Sequence, residues 1–261
     1  MNRNTSVWML LAGGSAVRLW VVLGVTAVIE AGAFAAFGRD AENFGEAVRL
    51  SRLSWICAAA FGAFCLILSL NGCQSDTRLD DTFGRLKTSG RTVFFCQCAY
   101  NTLCLLLLWG AQTTIVFLLS RWYLPLHTES AGHQGLLVDF YRNGFLHGLL
   151  PLSEWSRWTR NIVSVWTLGV LMASVPLRQR QGRRTVLPVV TAAAAALTAG
   201  GFSSMLGSRV YDFALSAILL IPALLYGCSD AKSAGTALDN REIKQAGSGI
   251  GSAGSSPGGG V

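Results

Sequence analysis

Three amides and one carboxylate stand inside stretches that otherwise hold almost no polarity. Gln97, Asn101 and Gln112 interrupt the run from Thr92 to Ser120, which carries no charge. At ~100° per residue they fall at roughly 0°, 40° and 60° around a helix axis, so they share one face. Hydrocarbon offers amides no partner, and the stripe should therefore point into a helix bundle or border a polar path. Glu30 is the one acid within a second apolar run, Leu19 to Gly38. A charge near mid-membrane costs ~2.5 to 3.5 kcal/mol on insertion scales, a cost lowered here because Glu30 lies nearer the end of its run. Two roles are open to it: accepting hydrogen bonds from a neighbouring helix or an outer-loop arginine, or serving a substrate or proton path.

Other chemistry fits less well. His127, Glu129, His133 and His147 lie in one long connection and could be imagined around a zinc ion that activates water at the membrane face. Their spacing matches no established zinc signature, and a metalloenzyme is a distant reading. No Gly-x-Ser-x-Gly occurs, and no Cys/His pair has an orienting partner in sequence. Nucleotide hydrolysis by this chain is excluded by its lysines. A P-loop places Gly directly before Lys, whereas the three lysines here follow Leu86, Ala231 and Ile243. Most of the seven cysteines lie within apolar runs, where thiols pack as small hydrophobes, so neither a disulfide framework nor a metal at Cys96-x-Cys98 is expected. No catalytic residue, cofactor or metal ligand is assigned, and the chain reads as a non-enzyme.

The elements that must position the polar residues are membrane helices. With 51% hydrophobic and 13% charged residues in 261, the chain lies outside the soluble class, in which about a quarter of residues are charged. Its net charge of +7 is dispersed through short segments between apolar runs, which sets orientation rather than binding nucleic acid. The fold class is all-α, a polytopic helix bundle over residues 1–230. Six spans are expected at about 19–38, 53–72, 92–120, 161–177, 185–208 and 213–229, followed by a disordered Gly/Ser-rich tail over 231–261. A lead-in before residue 18, broken at Gly13 and Gly14, is expected at the interface. Residues 135–152 should form an amphipathic or re-entrant segment ended by Pro151. A rival view takes the first span as a secretory signal cleaved near Ala33-Phe34-Ala35, but Glu30 disrupts such a core.

Lys and Arg fix the expected orientation. With the N-terminus inside, thirteen lie on the cytoplasmic side against eight outside, which places both termini in the cytoplasm.

The loop between the second and third spans carries Arg78, Arg85, Lys87 and Arg91. Leu79 to Arg91 could form a short helix, then a turn at Thr88 to Gly90 that leads straight into the third span. This resembles the corresponding segment of type 2 permeases of ATP-binding-cassette exporters, where a helix, a Leu-Pro-like turn and a Ser-Arg-type pair precede the third helix and contact the ATPase. Six spans, cytoplasmic termini and an interfacial lead-in extend the resemblance. Leu86-Lys87 stands where the family shows Leu-Pro, and the long outer connection follows span three rather than span five. The resemblance implies an export subunit of a bacterial plasma membrane, working as a homo- or heterodimer with a separate ATPase that Arg78, Arg85, Leu86, Lys87, Ser89 and Arg91 would adjoin. The alternatives are that these residues hold the loop at anionic lipid headgroups, and that the chain is a non-transporting accessory or scaffold protein.

Overall fold

A computed structural model of the chain describes residues 3–39, 41–73, 90–126, 133–151, 154–180, 185–186, 189–193 and 213–233. Among these, all regular structure is helical. In chain order the helices are α1 (Arg3–Phe37), α2 (Phe44–Leu50), α3 (Leu53–Cys73), α4 (Gly90–Tyr123), α5 (His133–Arg142), α6 (Gly144–Leu149), α7 (Trp155–Arg180) and α8 (Phe213–Ser233). A 3-10 turn, Leu124–Leu126, closes α4. Five of them, α1, α3, α4, α7 and α8, are long and apolar enough to cross a membrane. The basic-loop residues Arg78, Arg85, Leu86, Lys87 and Ser89 lie outside the described residues, as do most of 185–208, all of 234–261, His127 and Glu129.

The core is a bundle in which α4 packs on α7 and α1, and α3 packs on α1 and α7. α1 buries one stripe, Ser15, Leu19, Thr26, Glu30 and Phe34, at helical spacing, while Val17, Trp20 and Val28 on its other side are more than two-thirds exposed. Such a surface suits lipid or another helix. α7 is the most enclosed of the candidate spans, which explains why it can carry Arg160, Asn161, Ser164, Thr167 and Ser174 buried along its length. Polar groups facing protein can find partners that lipid would deny them.

Two boundaries differ from expectation for physical reasons. The lead-in is not separated at Gly13 and Gly14, because α1 runs unbroken from Arg3. Two mid-helix glycines cost about 1 kcal/mol each, and contacts on either side hold the turn together: Trp8 meets the Tyr100 ring edge-on at 5.9 Å, and Ser15 Oγ bonds Tyr100 OH at 2.7 Å. The fourth span begins six residues before 161, at Trp155. Its first turns are anchored by Trp158, which donates to Pro151 O at 2.6 Å and packs edge-on against Trp109 at 5.4 Å.

The amphipathic segment over 135–152 is two helices. Asn143 divides them, its Oδ1 accepting from Phe145 N and Leu146 N to cap α6. Its Nδ2 donates to Gly45 O at 2.7 Å, which ties the segment to α2. Phe44 completes the cap by packing on Phe34, Tyr123 and Phe140, and Tyr123 donates to Ala41 O at 2.8 Å. One end each of α1, α3, α4 and α7 thus sits beneath one lid of short helices.

Candidate functional site

The three amides of the α4 stripe have different surroundings. Asn101 is buried and donates to Gly169 O of α7 at 3.4 Å. Gln112 is buried and faces α1, while Gln97 is only half-buried. Asn101 serves the α4–α7 seam, which closes because residue 169 has no side chain: a Cβ there would collide with the Thr102 side chain. Arg91, the one described residue of the basic loop's set, is exposed at the start of α4.

Gln112 belongs instead with Glu30. The Glu30 side chain is 1% exposed, as is that of Gln112, whose amide faces its carboxyl. From α3 the wholly buried Cys57 thiol stands within electrostatic reach. The Gln112 amide is the group nearest the carboxyl, yet no hydrogen bond closes on either Glu30 oxygen or on Gln112 Oε1. Buried acceptors left unmatched cost about 1 to 3 kcal/mol each, more when charged. Three helices converge here, each bringing one side chain, and such an arrangement is more costly than an apolar core of the same size.

Two polar anchors flank this layer at the ends of the bundle. At the end away from the short helices, Arg178 of α7 reaches Asp230 of α8 at 2.8 Å and lies 4.2 Å over the Tyr226 ring. Asp230 is fully buried beside Cys98. At the end covered by the short helices, Arg157 NH1 meets His147 Nδ1 at 2.6 Å and Arg157 Nε meets Glu154 Oε2 at 2.5 Å. An arginine can only donate, so Nδ1 accepts and the imidazole proton resides on Nε2, where it has no partner. Burial, then the neighbouring Arg157 guanidinium, lowers the His147 pKa from its ordinary value.

Among the described residues no three His, Cys, Asp or Glu side chains are placed to hold a metal. His133 opens α5, but only its backbone is described; His147 faces Tyr141, with ring centroids 5.4 Å apart. Sequence reasoning missed Ser15, Tyr100, Arg160, Arg178 and Asp230. The buried series 160, 164, 167, 171 and 174 of α7 follows helical spacing and was available as a signal. The Arg178–Asp230 pairing spans 52 positions and had none. Comparison with protein-family models, with curated proteins and with solved structures gives no match. The bearing on function comes from this geometry.

Proposed function

We propose that the chain is the membrane subunit of an ABC-type exporter of a bacterial plasma membrane, driven by a separate ATPase. The supporting observation is mechanical. The basic segment joins the ends of α3 and α4, and these two helices carry the Cys57 and Gln112 that converge on Glu30. A partner pushing on Arg78 to Arg91 would displace two rigid rods against α1, and the shift would reach the polar layer without any intervening hinge. Asn101, bonded to α7, would carry the same displacement across the seam.

Topology supports the reading. α7 and α8 meet at their C-terminal ends through Arg178 and Asp230, so they run in the same direction. The connection between them must therefore pass from one face of the bundle to the other. With 185–208 as that crossing, a six-span chain would have both termini on the face of the basic loop, which the charge bias favours as the cytoplasmic one.

The test is a pull-down from mild detergent of the intact chain and of an Arg85→Glu, Lys87→Glu, Arg91→Glu triple variant. A P-loop ATPase should co-purify with the former and be lost from the latter. Recovery of no ATPase from either would remove the exporter reading and favour a scaffold that binds partners through its helices. The broad apolar faces of α1 and α8 are the observation that supports that second reading.

A further inference from the structure

The acceptor count at the centre of the bundle goes beyond the question of an ATPase. Glu30 Oε1, Glu30 Oε2 and Gln112 Oε1 are buried and none of them closes a hydrogen bond, although the Gln112 amide stands against the Glu30 carboxyl. Something carrying positive charge must resolve them, because an isolated carboxylate in a low-dielectric interior costs far more than a helix interface returns. Among the described residues no basic side chain pairs with Glu30. The groups on the packed helices that could titrate or compensate do not do so: Cys57 of α3 is a wholly buried thiol, Arg91 and Arg121 are exposed at the two ends of α4, and Glu46 and Arg49 of α2 pair with each other.

Two small cations remain, a metal ion and a proton. A hard metal cation takes six or more oxygens, and three converge here. A proton needs one donor position and one acceptor, and the pair supplies both. We propose that Glu30 and Gln112 form a proton-binding site within the membrane-spanning bundle, in which Glu30 is a neutral acid that donates to Gln112 Oε1. The proton adds to one carboxylate oxygen from water and leaves by the reverse step, with no other bond changed. Glu30 lies seven residues before the end of α1, about 10 Å along the axis, which puts the site nearer the face covered by α2, α5 and α6. A group that changes charge where three helices meet would make their packing sensitive to its occupancy, whether or not an ATPase acts on the chain.

Infrared spectroscopy of the full chain in lipid nanodiscs at neutral pH tests this, taking the wild type minus a Glu30→Gln variant. The expected result is a protonated-carboxyl C=O stretch that is lost in the variant and moves upward in Gln112→Leu, where the acid has lost its acceptor. Carbon-13 glutamate labelling of the wild type supplies the same assignment if Glu30→Gln fails to fold. A carboxylate stretch in place of the acid band would overturn the proposal. So would conversion of the acid band to carboxylate when sodium replaces potassium, which would give the site to a metal ion. An acid band that does not move in Gln112→Leu would overturn the pairing.

Discussion

The residue for which pH should matter beneath the short helices is His147. Its Nδ1 accepts from Arg157 and its Nε2 proton is buried, so a second proton would place an imidazolium against a guanidinium. The folded-state pKa is lowered by burial and by Arg157, while the unfolded chain titrates near the ordinary 6.5. Between these two values the unfolded state binds the extra proton and the folded state does not. Stability is therefore complete above about 6.5 and is lost as pH falls below it, at a slope of at most about 1.4 kcal/mol per pH unit for one proton. The melting temperature of the detergent-solubilised protein should drop between pH 7.5 and 5.5, and His147→Gln should flatten that dependence. An equal drop in the variant would assign the acid sensitivity to other groups. Sequence alone puts His147 in a long connection with an amphipathic stretch. Its Arg157 partner lies only ten positions on, but nothing in composition indicated that Asn143 and Pro151 fold the chain back so that the two meet.

Among the elements, α4 and α7 form the seam on which the bundle depends, and Gly169 is what allows their approach. Gly169→Ala should force the Thr102 side chain or the helices apart and cost about 1 to 3 kcal/mol, the usual range for overpacking. Thr102 cannot simply swing away, since its Oγ1 is bonded to Cys98 O at 2.9 Å. Thr102→Ala should recover most of the loss when combined with Gly169→Ala, and thermal unfolding of the two single variants and the double variant measures the coupling. Additive losses would show that the seam does not close at this point. The inward side of α4 was legible because amides at 97, 101 and 112 repeat near the helical period in an uncharged run. Their separate destinations were not, since facing α7 and facing α1 differ by only a few tens of degrees on one helix. The start of α1 departs from the sequence expectation for a related reason: a Gly-Gly pair weakens a helix locally, but Tyr100, 85 positions from Ser15, supplies the contact that holds the turn together.

For the whole molecule, direction is what links packing to any role in transport. The proposed topology puts thirteen basic residues on one side and eight on the other, and the Arg178–Asp230 pair makes α7 and α8 parallel. These are independent, one an insertion bias and the other a contact in the finished fold, and both are consistent with the proposed topology, in which α5 and α6 lie outside with both chain ends inside. A cysteine at Leu137, which is 57% exposed on α5, should react with a membrane-impermeant maleimide on intact cells above the wild-type background. Epitope tags at either terminus should be reached by antibody only after permeabilisation. Labelled termini with an unreactive Leu137→Cys would invert the protein in the membrane and put the basic loop where no ATPase operates. Termini on opposite sides would instead mean an odd number of crossings, and the face-to-face connection between α7 and α8 would have to be abandoned along with the coupling argument built on it. Agreement of both probes would leave Glu30 near the outer face and the basic loop at the inner one, with α3 and α4 as the rods between them.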